Sequence, residues 1–163
     1  MSTAPFTVRP AVAEDAPALG RLGGALVRMH HGLDPARFIL PEDVERGYAW
    51  WLGRELAAPE AVVLVAAAPD GDILGYAYGR LEPRDWNRLL DDHADLHDIL
   101  VAEGARGEGV GRALLDAFVA AVRARGVARV VLQTAVANGR AQALFRAAGF
   151  RPTMIEMTLD VPA

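Results

Sequence analysis

LHDILVAEGARGEGVGRALLDAFVAAV, residues 96–122, is the stretch from which the rest of the chain can be read. A short apolar run (Ile99, Leu100, Val101) passes through a charged turn into Gly107-Glu108-Gly109-Val110-Gly111. From Val110 onward apolar residues recur at helical spacing, with Leu114, Leu115, Phe118, Val119 and Val122 on one broad stripe. The pattern is a strand, a turn with bare backbone, and a helix N-terminus. Such a junction presents unpaired N–H groups with the positive end of the helix dipole behind them, which suits phosphate. The stretch therefore predicts a grip on a phosphate-bearing cofactor.

Upstream, residues 6–9 (FTVR) alternate as a short first strand ended by Pro10. A helix follows, with Pro17 in its first turn and Leu19, Leu22, Leu26 and Met29 at helical spacing, closed by Gly32. Gly20, Gly23 and Gly24 each weaken it by up to ~1 kcal/mol relative to alanine, so either another element approaches closely or the helix bends. Pro41 starts a second helix carried by Val44, Tyr48, Trp51, Leu52 and Leu56, and Pro59 stops it. Residues 61–68 (AVVLVAAA) form an apolar strand covered on both faces. Pro69-Asp70-Gly71-Asp72 then turns it into a hairpin with residues 73–81, where Tyr76 and Tyr78 share a face. Residues 83–93 read as a surface loop or short helix, and residues 93–101 as the fourth strand.

Downstream, Gly126 is the C′ residue of the helix begun at Val110, and residues 128–135 (ARVVLQTA) are the fifth strand. Asn138 caps a last helix through Ala141, Leu144, Phe145 and Ala148, stopped by Gly149. Residues 150–159 are expected to be a final strand, with Pro152 at an edge or bend. The expected order is β-α-α-β-β-β-α-β-α-β, an α/β (α+β) sandwich with a mixed sheet, in one domain over residues 1–163 with residues 1–5 flexible.

Composition sets the outer bounds. The chain of 163 residues is 52% apolar and 23% charged, ordinary for a globular protein. A net charge of −4 argues against nonspecific binding of nucleic acid or an anionic membrane. There is no cysteine, which excludes disulfides, thiolate metal sites and a catalytic thiol, and fits a reducing compartment. No apolar run approaches the ~18 residues that span a bilayer, and the N-terminus lacks a basic start and an apolar h-region. A cytoplasmic protein is the expectation. The four histidines show no metal-binding spacing, and the adjacent His30 and His31 point apart on a helix, so no metal is expected.

Three phosphate-binding loops compete for the glycine cluster. A Walker A loop needs Gly-Lys-Ser/Thr, whereas Gly111 is followed by Arg112-Ala113. A dinucleotide fingerprint needs a different glycine spacing and an acid after the next strand, where Leu132-Gln133-Thr134 stands. A plain turn of no function leaves three glycines and two arginines at one helix start unexplained. Arg106-Gly107-Glu108-Gly109-Val110-Gly111 matches Arg/Gln-x-x-Gly-x-Gly/Ala and resembles the acetyl-CoA pyrophosphate loop of the GNAT acetyltransferase superfamily. Asn138-x-x-Ala141-x-x-x-Phe145-x-x-x-Gly149-Phe150 resembles that family's second block, and the element order matches.

The resemblance implies acetyl-CoA as cofactor, with the amides from Gly107 to Arg112, Gly109, Val110 and Gly111 among them, on its pyrophosphate. It implies Leu100 and Val101 pairing with the pantetheine arm as an added strand, in a slot opened by a bulge between the fourth and fifth strands. It places Asn138 near the pantetheine and Phe145 against the cofactor. Many members carry a tyrosine at the position of Phe145, able to protonate the leaving sulfur. Phenylalanine cannot, so Tyr76, Tyr78 or water is left for that role, or none is used.

The implied activity is N-acetylation of a primary amine on a small metabolite, an amino-acid-like compound or a protein. Deprotonating an alkyl ammonium of pKa ~10.4 costs ~4.6 kcal/mol at pH 7, against ~2 kcal/mol for a thiolate of pKa ~8.5 left unprotonated. A base therefore matters more than an acid. Asp95 and His97 are the candidates, with His93 and Asp98 nearby. Asp95 stands where the resemblance places the glutamate base of histone acetyltransferases, and with His97 it stands where arylalkylamine acetyltransferases carry two histidines. For the acceptor the resemblance points to the first two helices and the last hairpin: Met29, His30, His31, Arg37, Phe38, Trp51 and Glu156. A non-catalytic acyl-CoA-binding module is the alternative. The apolar C-terminal run (Met154, Ile155, Met157, Leu159) suggests a homodimer.

Overall fold

The computed structural model describes residues 5–162, so most of the expected flexible start lies outside the described residues. In chain order it has β1 (Thr7–Pro10), α1 (Ala16–Leu33), α2 (Val44–Glu55), β2 (Ala61–Ala67), β3 (Ile73–Glu82), β4 (His93–Val101), α3 (Val110–Ala124), β5 (Val130–Leu132) and α4 (Gly139–Ala147). The sheet runs β1-β2-β3-β4-β5; its first four strands are antiparallel and β5 is parallel to β4.

Strand alternation divides the interior into two cores. Val62, Leu64 and Ala66 of β2 face α3, where they meet Leu114, Leu115, Phe118 and Val122. Val63 and Val65 face the other way, with Leu19, Leu22 and Leu26 of α1 and Leu52 of α2. The β3 sequence Gly75-Tyr76-Ala77-Tyr78-Gly79 shows why the layers fit. Its small residues lie under α3, where a Cβ on Gly79 would stand 2.5 Å from the Phe118 ring and 2.3 Å from the Asp95 carbonyl oxygen. Its tyrosines are buried on the α1–α2 side.

The glycines of α1 are explained by close approach. A Cβ on Gly23 would lie 2.0 Å from Cδ1 of Tyr48, and one on Gly20 would lie 2.6 Å from the Glu45 carbonyl oxygen, both on α2. Residues 83–92 form the expected surface loop, tied by a bridge between Asp85 and Leu90. No helix among the described residues is long and apolar enough to cross a membrane.

Two strand expectations are corrected. The fifth strand is three residues long, not the expected run over 128–135, because it pairs with β4 only through Ala94–Val130, Asp95–Val131 and Leu96–Leu132. The expected strand over residues 150–159 does not form, and residues 151–162 are exposed throughout. An extended segment needs a ladder partner for its N–H and C=O groups. β5 is too short to provide one, Pro152 supplies no donor, and Glu156 is instead paired with Arg37 in the loop after α1.

Candidate active site

The site forms where β4 parts from β5. Opposite Gly79 and Tyr78 of β3 the ladder register shifts, leaving one extra residue, His97, between Leu96 and Asp98. This bulge reverses the alternation of β4. Before it Ala94 and Leu96 face α3; after it Ile99 and Val101 do. His97 and Asp98 therefore fall together on the α1–α2 side. Pairing with β5 ends at Leu96–Leu132, so the β4 edge from Ile99 to Val101 has no strand neighbour among the described residues. A cavity of about 200 Å³ lies in the opening, lined by Arg88, Asp95, Leu96, His97, Leu132 and Gln133.

Past Val101 the chain enters the glycine turn. Gly107 and Gly109 have φ of +86° and +82°, which L side chains rarely adopt, and Gly109 leads directly into α3. Among the described residues no carbonyl or side chain accepts from the amides of Gly107 to Arg112. Val110 is buried and anchors the helix end, while a Cβ on Gly111 would touch Val101 and Leu144 at 3.4 Å. Six free amides at a helix N-terminus fit a pyrophosphate. The flanking arginines are engaged elsewhere. Arg112 bonds Asp116 at 2.9 Å and the Ala147 carbonyl at 3.1 Å, and Arg106 donates to the Val101 carbonyl at 3.3 Å.

The sequence profile of the acetyltransferase (GNAT) family matches residues 26–150, taking in the bulge, the open β4 edge and the amide turn. The chain belongs to the GNAT acetyltransferase family. No curated protein matches it in sequence. Among solved structures, the GNAT chain resembles a mutant protein from Bacillus halodurans (22% identity, TM-score 0.85, covering 96% of this chain and 99% of that one). It also resembles a predicted acetyltransferase from Clostridium acetobutylicum with acetyl-CoA (16%, TM-score 0.72, 95% and 96%). A third is an aminoglycoside acetyltransferase from an uncultured soil sample, in complex with sisomicin (17%, TM-score 0.69, 97% of each chain). At these identities the likeness is one of fold. The family uses acetyl-CoA, and the free amides and open strand edge of this acetyltransferase suit that molecule's pyrophosphate and pantetheine.

The base candidates sit differently. His97 is exposed, with its ring stacked on Tyr78 at 5.4 Å between centroids. Asp95 is bound by both terminal nitrogens of Arg88, at 2.6 and 3.1 Å, and lies 3.6 Å from Nε2 of buried His93. Burial opposes the Asp95 charge, but the Arg88 guanidinium overrides it and holds the carboxyl below the usual carboxylate range. Arg88 comes from the loop over residues 83–92, where Asp85 Oδ1 accepts from the Asn87 and Arg88 amides and shapes the turn.

Asp98, joined to His97 by the bulge, accepts a 2.9 Å hydrogen bond from the Tyr76 hydroxyl. Burial raises its pKa more than that hydroxyl and the neighbouring imidazoles lower it. Tyr76 and Tyr78 are themselves shifted upward, by burial first and then by Asp98 and Glu55 respectively. The Tyr78 hydroxyl donates to Glu55 at 2.7 Å, and Arg80 also binds Glu55. Phe145 is in the core against Phe150, 5.9 Å between centroids. Asn138 caps α4 by accepting from the Ala141 amide at 3.2 Å.

The acceptor candidates do not all converge. His30 Nδ1 lies 2.9 Å from the Leu26 carbonyl, and its ring is 5.0 Å from Phe38. His31 turns away, with Nδ1 2.8 Å from the Phe38 carbonyl. Arg37 and Glu156 pair with each other on the exposed surface. Sequence reading did not single out Arg88, Tyr48 or Glu55 for the site, and placed Asp98 only beside the base candidates. The signal for Asp98 was present: apolar positions in β4 slip from even (94, 96) to odd (99, 101), as a bulge between them demands. Among the described residues no group of His, Asp or Glu side chains is placed to hold a metal.

Proposed function

We propose that this chain transfers the acetyl group of acetyl-CoA to the nitrogen of a primary amine by direct attack. The observation that carries the reading is the bulge at His97, which opens the β4 edge for the donor and turns His97 toward the acceptor side. Bound acetyl-CoA supplies an activated acetyl thioester. The amides of Gly107 to Arg112 hold its phosphates, Leu100 and Val101 align its arm, and Asn138 stands alongside. The amine approaches across β3 from the α1–α2 side. The ammonium would first lose one proton to His97 and on to solvent. As the free amine then forms the C–N bond and the C–S bond breaks, the nitrogen's second proton would leave by the same route and the sulfur would depart as thiolate.

Of the two base candidates, His97 is favoured because its ring is exposed at the junction. Asp95, locked to Arg88, serves to shape the slot. The core position of Phe145 and the burial of Tyr76 and Tyr78 favour departure of the thiolate without a tyrosine acid, consistent with its low cost of ~2 kcal/mol.

The test is release of free CoA over a panel of amines, with His97→Ala and Asp95→Asn beside the parent. His97→Ala is expected to lower turnover by roughly 10²-fold near neutrality, typical of losing a general base. Full activity of both variants across pH would remove the base assignment. Tight acetyl-CoA binding with no turnover of any amine would leave an acyl-CoA-binding module instead.

A further inference from the structure

A charge loses its hydration on burial and is stable there only when paired. Three guanidiniums already have carboxylates, while Arg54 beside Glu55 lies over the Trp50 ring. Arg80 takes Glu55, Arg88 takes Asp95, and Arg37 takes Glu156. Asp98 is different. It is 7% exposed, and the groups facing it are the hydroxyls of Tyr76 and Tyr48 and the imidazoles of His30 and His97. No arginine pairs with it among the described residues, and the sequence contains no lysine. Asp98 is a buried carboxylate one cation short.

The walls beside it are aromatic. Tyr48 meets Trp51 edge-on at 5.4 Å, Trp51 meets Tyr78 edge-on at 5.0 Å, and Tyr78 stacks on His97. Ring faces attract cations and their area accepts hydrocarbon. We propose that Asp98 receives the acceptor's ammonium, and that the acceptor is a primary amine with an apolar body and no carboxylate. This rests on the acetyltransferase reading above. The ion pair forms before transfer and brings the nitrogen to the bulge, next to His97. An acceptor bearing its own carboxylate would bring a second negative charge toward Asp98 and Glu55.

Isopentylamine and leucine differ by one carboxylate and make the test. Steady-state acetylation of each is measured with the parent and with Asp98→Asn, an isosteric change that keeps an acceptor for Tyr76. Calorimetric titration of CoA, and of isopentylamine in the presence of CoA, runs in parallel. The expected results are a kcat/KM for isopentylamine at least about 100-fold above that for leucine, and a KM raised roughly 10- to 100-fold in Asp98→Asn with CoA affinity unchanged. The calorimetric affinity for isopentylamine should fall in step. Preference for leucine in the parent, or an unchanged KM and amine affinity in a folded Asp98→Asn, overturns the proposal and leaves the transferase intact. CoA binding without turnover of any amine overturns the transferase reading and this proposal with it.

Discussion

Gly23 and Gly47 make a paired experiment in which the same substitution should have opposite signs. Both are helical, so alanine at either gains about 1 kcal/mol of helix preference. At Gly47 nothing lies within 4 Å of the new methyl, so that gain stands. At Gly23 the methyl would lie 2.0, 2.4 and 2.7 Å from three ring atoms of Tyr48. Carbon atoms settle about 3.5–4.0 Å apart, so the ring must retreat by roughly 1.5 Å. It has little room, being packed edge-on against Trp51 at 5.4 Å with its hydroxyl facing Asp98. Overpacking of this kind costs about 1–3 kcal/mol, and a clash with a ring pinned on two sides belongs at the upper end. The net loss for Gly23→Ala is therefore about 1–2 kcal/mol. In a domain of this size that lowers Tm by roughly 2–8 °C, while Gly47→Ala raises it by roughly 2–4 °C. Thermal and urea denaturation of both variants give the answer. A Gly23→Ala protein as stable as Gly47→Ala would refute the claim that α2 fixes the α1 glycines by contact.

Gly109→Val places a β-branched residue at φ +82°, where nothing crowds it but the backbone resists. The strain of about 1–2 kcal/mol should weaken CoA binding about 5- to 30-fold by calorimetry, and unchanged affinity would reject the amide turn as the phosphate site. Asp15 accepts from Arg9 at 2.7 and 2.9 Å and from the Val12 amide at 2.8 Å, and the Arg9 guanidinium is the main cause of its lowered pKa. Because the folded pKa lies below the unfolded one, the stabilisation is complete above the ordinary carboxylate range and is lost as pH falls through the folded value. Asp15→Asn should thus cost about 1–2 kcal/mol at pH 7, with Arg9 partly exposed, and the gap to the parent should close on acidification below about pH 4. A gap unchanged at about pH 2 would contradict the ion pair's role. The homodimer expected from the apolar C-terminal run can be tested directly. Light scattering after size exclusion should report a dimer that Met157→Asp with Leu159→Asp converts to monomer, and a monomer at every concentration would refute it.

What was legible in the sequence follows from what local rules govern. A turn with bare amides depends on glycines and a helix start that are adjacent in the chain, so the geometry of residues 106–112 could be read directly. The glycines of α1 left two readings, a close neighbour or a bend, and the contacts of Gly20 and Gly23 with α2 decide for the neighbour. Residues 150–159 show the limit: their apolar spacing is that of a strand, but a strand also needs an edge to join, and the brevity of β5 is a tertiary fact. The pairing of Asp95 with Arg88 was equally hidden, because Arg88 arrives from a loop whose turn is set by Asp85. Asp98 lies between these cases, since the phase slip that turns it inward is written in β4 but its partner Tyr76 is contributed by another strand.

The two cores on opposite faces of the sheet have a consequence for how this protein can change. On the reading proposed above, the amide turn and Val101 rest on the α3 core, while Leu100 and the rings of Tyr48, Trp51 and Tyr78 rest on the α1–α2 core. Variation at Leu26, Met29, Tyr48 and Trp51 can reshape the α1–α2 face of the sheet without loosening Leu114 or Phe118, which lie in the other core. Libraries confined to that layer should therefore yield altered amine preference at nearly constant CoA affinity, and divergence within such a lineage should concentrate there.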